Sequence, residues 1–244
     1  MSYLFETENK NYEDFASGRV LYNQQGTTSF PVRLGSEIFL RCERILQKAG
    51  ADGPYSIYDP CCGGAYFLTT IGFLHGDRIS KILASDIDDG MIALAQRNLS
   101  LLSLPGIEQR ISRIKKMADD FGKASHAEAL QSAMNLRERL LARKTRIEAT
   151  SFIADATKEK GVCEKADIVI TDLPYGKIVH WKNDLQDGSA AVKGLLDNLI
   201  SFLAHKSVIA IVSDKKTSLG HEQYKRVGWF LMGKRKVTFL QYVG

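Results

Sequence analysis

Short apolar runs and longer stretches of helical periodicity take turns along this chain. Residues 55–58, 81–85, 147–153, 167–171 and 208–212 read as strands, and the run at 167–171 is apolar enough for a buried parallel strand. Between them, Ile38, Phe39, Cys42, Ile45 and Leu46 share one helical face after Ser36, a predicted N-cap, and this helix stops near Gly50. Residues 66–74 form an apolar helix, residues 90–102 another with Asp88 as its N-cap, and residues 190–204 a further one. Strand–helix alternation of this kind predicts an α/β fold with a mostly parallel sheet and helices on both faces. The last two β-like runs, 227–232 and 237–243, flank Gly233-Lys234-Arg235-Lys236 and predict a C-terminal antiparallel hairpin.

Two regions fall outside that rhythm. Residues 1–50 are expected to be an N-terminal arm and helix, the arm pinned to the core by Tyr3, Phe5, Tyr12, Phe15 and Tyr22. In residues 103–146, Ile107, Ile111, Ile114, Ala118 and Phe121 repeat at helical spacing, and Leu130, Met134 and Leu141 do so beyond Gly122. This predicts a helical hairpin inserted into a single domain, 1–244. Basic residues outnumber acidic ones along the insertion, which fits either a solvated helix face or a phosphate-contacting one.

Composition narrows the function classes. The chain has 244 residues, 44% hydrophobic and 25% charged, with a formal net charge of +5, so a polyanionic partner is favoured. No apolar run approaches membrane-spanning length, the first residues are not a secretion signal, and no membrane partner is expected. Cys42, Cys61, Cys62 and Cys163 lack Cys-x-x-Cys spacing, so neither a metal site nor a disulfide framework is expected and a cytoplasmic setting fits.

Candidate chemistry gathers at predicted strand ends. The run Ile-Tyr-Asp-Pro-Cys-Cys-Gly-Gly-Ala-Tyr, residues 57–66, is a strand, a glycine turn and a helix start. Such a turn brings backbone N–H groups to a ligand at the helix N-terminus, or marks only a turn. Asp86 ends the second strand about 20 residues after Gly64, where an acidic residue can accept from both hydroxyls of a ribose. Asp155 follows the next strand and suits either an adenine amino group or a turn cap. Asp172-Leu173-Pro174-Tyr175-Gly176 follows the buried strand. Pro174 fixes a turn, Asp172 can accept the hydrogen of a planar nitrogen, and Tyr175 offers a face for an extruded base.

That order of sites resembles the Rossmann-like S-adenosylmethionine-dependent methyltransferases, whose ligands sit beyond the carboxyl ends of the strands. The match sharpens over residues 30–39, Asp-Pro-Cys-Cys-Gly at 59–63, Ala-Ser-Asp at 84–86 and Asn-Leu-Ser-Leu-Leu-Ser at 98–103. Phe-Gly-Lys at 121–123, Leu-Arg-Glu-Arg-Leu at 136–140, and Thr-Asp-Leu-Pro-Tyr-Gly at 171–176 with His180-Trp181 beyond it extend it. Together these resemble the AviRa family of avilamycin-resistance methyltransferases, which act on a guanine of 23S ribosomal RNA. One departure is that the family's Gly-Ser-Gly loop is Gly63-Gly64-Ala65 here.

The resemblance implies methyl transfer from S-adenosylmethionine to N1 of a guanine in large-subunit ribosomal RNA; a monomer is the favoured expectation. It implies that Asp59, Cys61, Gly63 and Gly64 line the methionine end of the cofactor. Asp86 would hold its ribose and Asp155 its adenine. Asp172 and Tyr175 would hold the guanine, Arg33 would lie near the site, and His180 and Trp181 would sit in a lid over the RNA. Methylation of an exocyclic amino group of guanine or adenine, and a non-catalytic RNA-binding protein of the same fold, are the competing expectations. Covalent catalysis by Cys61 or Cys62 is disfavoured, because both lie in the predicted cofactor loop.

Overall fold

A computed structural model describes residues 3–25, 27, 29–158, 164–173 and 188–244, without the side chains of 188 and 189. Five parallel strands form the body of one seven-stranded sheet: β1 (Tyr55–Asp59), β2 (Ile79–Asp86), β3 (Glu148–Ile153), β4 (Ala166–Asp172) and β5 (Leu203–Asp214). The expected C-terminal hairpin, β6 (Tyr224–Met232) and β7 (Arg235–Tyr242), adds its second strand antiparallel to β5. The order is β3-β2-β1-β4-β5-β7-β6. Chain direction across the sheet reverses between β1 and β4, and such a switch point opens a crevice beyond the strand ends.

Side-chain alternation builds a core on each face. Ile57, Ile82, Ala84, Ile168, Ile170 and Val212 pack towards α1 (Val32–Lys48), α2 (Tyr66–His75) and α3 (Asp89–Ser100). Their neighbours Tyr58, Leu83, Val169, Ile209 and Ile211 pack towards α6 (Gly188–Leu199). Five consecutive residues of β5, Val208 to Val212, are fully buried, as expected for a strand covered on both faces.

The inserted hairpin is α4 (Leu104–Phe121) and α5 (Ala124–Ala142), turning at Gly122, whose φ of +60° suits glycine. Its buried faces differ from the expectation. In α4, Ile107 and Ile114 are buried but Phe121 is exposed, and α5 turns Ala129, Ala133, Leu136 and Leu140 inward and leaves Met134 and Leu141 exposed. Small alanines let α4 and α5 approach closely, which apolar periodicity alone does not register.

Three boundaries also move. α1 begins at Val32, directly after Pro31, so Ser36 lies inside the helix and is not its cap. Ser36 instead bonds Glu6 and His75. β5 begins at Leu203, five residues before the predicted run, and α6 ends at Leu199.

Candidate active site at the carboxyl edge of the sheet

Strand register brings the predicted acidic residues to one edge. Asp59 pairs with Ala84, so Asp86 stands two residues beyond it on the neighbouring strand. Asp172 ends β4 on the other side of β1, and Asp155 follows the end of β3. Asp59 feels the charges of Asp86 and Asp172, and Cys61 those of Asp59, Asp86 and Asp155. The four carboxyls therefore share one neighbourhood, at the switch point.

The glycine loop between β1 and α2 is tied to β2. The Cys62 amide donates to the Ser85 carbonyl at 2.9 Å, and the Gly63 amide to Asp86 Oδ2 at 2.8 Å. Gly63 has φ +51°, and a Cβ built there would meet no atom within 4 Å, so its Cα faces open space. Gly64 is small for a different reason: a Cβ would come within 2.6 Å of Leu94 on α3. Ala65 takes the left-handed conformation at φ +53°, which costs an L-residue about 1–2 kcal/mol. A glycine at this position would take the same path without that cost. Ala65 gives α2 no side-chain cap, whereas Asp88 caps α3, as expected, and Ser103 caps α4.

Electrostatics at this edge are set by burial among like charges. Burial, then the charges of Asp86 and Asp172, push the Asp59 carboxyl up to about 7, against the Cys61 amide and the Thr171 hydroxyl. The Cys61 thiol is pushed far up by burial and by Asp59 and Asp86, and Cys62 likewise. Both stay protonated, which removes them as nucleophiles. Asp86 accepts from the Gly63 amide through Oδ2 and from the Asp88 amide through Oδ1 at 3.0 Å. A carboxylate offers about four acceptor positions, so two more donors can be accommodated. At Asp155, burial raises the carboxyl, but the Thr157 hydroxyl and amide and Lys158 outweigh it and hold it low. Its Oδ1 accepts from both Thr157 groups, so it does cap a turn, and it also points charge towards the loop.

Not every expected residue joins this cluster. Arg33 donates to the Glu6 and Thr7 carbonyls and to Asn9, and lies 4.1 Å over the Tyr3 ring. Four of its five N–H donors are thereby engaged with the N-terminal arm. Pro174, Tyr175, His180 and Trp181 lie outside the described residues, as does Cys163.

Two groups were not anticipated. Asn98, fully buried on α3, accepts from the Tyr22 amide at 2.7 Å and donates to the Tyr22 carbonyl and, at 2.8 Å, to the Gly64 carbonyl. It joins the N-terminal arm to the glycine loop. Its sequence signal is a polar residue on the helical face shared by Leu94 and Ala95. Glu37, fully buried on α1, accepts from the amides of Leu4, Phe5 and Glu6 and from Arg41. These buried polar groups add to the expected aromatic contacts: Phe15 lies in the core and Tyr12 and Tyr22 pack against it, while Phe5 is 38% exposed.

Comparison with known proteins agrees with this architecture. TrmN from Thermus thermophilus shares the fold, with a TM-score of 0.52 at 15% identity over 88% of this chain and 50% of that one. Two solved structures of rRNA methyltransferase AviRa from Streptomyces viridochromogenes match with TM-scores of 0.87 and 0.88 at 35% identity, over 98% of this chain and 96% of each. The curated 23S rRNA (guanine(2535)-N(1))-methyltransferase of the same organism is 35% identical, over 98% of this chain and 96% of its own length. The family model described as rRNA methyltransferase AviRa matches residues 1–235, which take in the glycine loop, the insertion and the strands β1 to β6: this chain belongs to the AviRa family.

Proposed function

We propose that this protein transfers a methyl group from S-adenosylmethionine to N1 of a guanine in 23S ribosomal RNA. The observation that carries the reading is the gathering of Asp59, Asp86, Asp155 and Asp172 about Asp59 and Cys61, at the start of the glycine loop, in a member of this family. The same reading has ribosomal RNA as partner and the protein acting as a cytoplasmic monomer.

The residues present fit the cofactor. Open space at Gly63, an uncapped α2 N-terminus and two remaining acceptor positions on Asp86 match an amino acid carboxylate and a ribose diol. Asp59, the Cys61 region, Gly63 and Gly64 would line the methionine end, Asp86 the ribose and Asp155 the adenine. When bound, S-adenosylmethionine supplies a methyl group activated by its sulfonium.

Asp172 has the remaining task. Guanine N1 carries a hydrogen, and substitution there releases it as a proton. A carboxylate at the end of β4, beside the crevice, accepts that proton and passes it to water. Pro174 and Tyr175 would hold the base flat against it. Most of the rate enhancement then comes from holding nucleophile and methyl group in line, since no strong base is required.

Primer extension on 23S ribosomal RNA from cells with and without the protein tests the reading. A new stop at one guanine, with 1-methylguanine found by mass analysis of the nucleosides, is the expected result. Methylation only on an exocyclic amine, or no methylation, would overturn it.

A further inference from the structure

The carboxyl edge of the sheet does not end at the acidic cluster. Asp172 pairs with Val212 on β5, and β5 runs on to Asp214, opposite Arg235 at the start of β7. The turn between β6 and β7 therefore returns to the edge that carries Asp172. Strands lie about 4.8 Å apart, so β7 stands on the order of 10 Å across from Asp172. Lysines gather there: Lys215 and Lys216 just after β5, Lys234 in the turn, and Lys236 on β7 opposite Ser213. Lys215, Lys216 and Lys234 are exposed, and none of the four makes an ion pair among the described residues. Asp214, the nearby acid, is committed to its own turn, accepting from the Lys216 and Thr217 amides and the Thr217 hydroxyl. Arg235 differs, lying 5.6 Å over the Phe30 ring.

The inserted hairpin is the other basic region, and several of its cations already hold structure together. Arg110 is buried and donates to the Val20 and Arg19 carbonyls, Arg143 donates to Leu102, and Arg137 pairs with Glu108 and Glu138. Arg113, Lys115 and Lys116 remain exposed on α4.

We infer that the lysines of the β5 end and the β6–β7 turn form the phosphate-binding rim of the substrate RNA, beside the crevice at Asp172. The inference rests on the functional reading above and locates the strand that flanks the target base. Unpaired surface lysines at this distance suit the phosphodiester backbone, since they neutralise charge without reading sequence. The rim also corrects for the site itself, whose four carboxyls repel a polyanion.

The test compares Lys215→Glu/Lys216→Glu/Lys234→Glu with Arg113→Glu/Lys115→Glu/Lys116→Glu, using the full chain and a transcript of 23S ribosomal RNA. For the rim variant, KM for RNA should rise at least about tenfold, with kcat at saturating RNA and calorimetric S-adenosylmethionine affinity unchanged. The slope of log affinity against log salt should fall by about 2, three contacts at roughly 0.7 each. A Gln triple at the same positions should lose the same slope, which separates lost contacts from new repulsion. The α4 variant should change KM less than about twofold. Unchanged KM and slope in the rim variants, or a loss confined to the α4 variant, would overturn the rim. Absence of transfer by the unsubstituted protein would instead overturn the functional reading, and the rim with it.

Discussion

Asp172 and Asp86 stand on either side of β1 and should fail in different ways. Asp172→Ala removes the proposed proton acceptor, so turnover is expected to fall by at least about 100-fold. Its calorimetric affinity for S-adenosylmethionine should stay within about twofold; retained turnover would refute the role. Asp86→Ala removes the acceptor of two loop amides and, on the proposed reading, of the ribose hydroxyls, so cofactor affinity should fall by one to two orders of magnitude, about 1.5–3 kcal/mol. Equal cofactor affinity would leave Asp86 as a loop brace alone. Most of these residues could be read from the sequence, because a turn, an acidic strand end and an Asp-x-Pro-Tyr motif each have a local pattern. Asn98 and Glu37 were not legible in the same way. Their partners lie 34 and about 32 residues away in sequence, so no short window contains the contact that gives them meaning.

Among elements, the arm shows how a segment with little regular structure is held. Glu37 accepts three backbone amides and Arg41. Burial raises its carboxyl, but those bonds outweigh burial and hold it below the usual range, and Glu6 is likewise held low through Ser36, Lys10 and Tyr12. Glu37→Ala leaves three amides without their acceptor and should cost about 3 kcal/mol. The check is the urea midpoint together with trypsin cleavage at Lys10 and Arg19, which should accelerate; unchanged cleavage would show that the arm is held elsewhere. Strands and helices of this fold were legible because burial on one face imposes a period. The arm's carboxylate anchors and the inner face of α5 were not, since they depend on buried carboxylates and small residues, whereas the core contact of the arm's Phe15 was.

At the scale of the whole molecule, two buried groups oppose each other in pH dependence. Burial lowers His75 from its ordinary value to about 4, so its neutral form is the stable one in the folded chain. Its contribution is present above about 6.5 and is lost as pH falls towards 4, where the unfolded chain binds the extra proton. Asp59 runs the other way. Raised to about 7, it binds a proton in the folded state that the unfolded chain has already released, so its contribution is lost as pH rises from about 4 to 7. His75 is worth roughly 3 kcal/mol and Asp59 roughly 4, and their opposite slopes nearly offset between pH 4.5 and 6.5. Urea midpoints over that range should fall more steeply with acid in Asp59→Asn than in the parent. In His75→Asn the midpoints should instead rise with acid. Parallel profiles in both variants would count against the assignment.

Arg110 reaches from α4 to the carbonyls of Arg19 and Val20, while Asn98 ties the adjoining Tyr22 to Gly64. The hairpin, the arm and the glycine turn therefore form one mechanical chain that ends at the donor's pocket. Trimming residues 103–146 to obtain a smaller catalyst should loosen that pocket from a distance. A shortened protein that still folds should bind S-adenosylmethionine more weakly, though no residue removed lies in the acidic cluster.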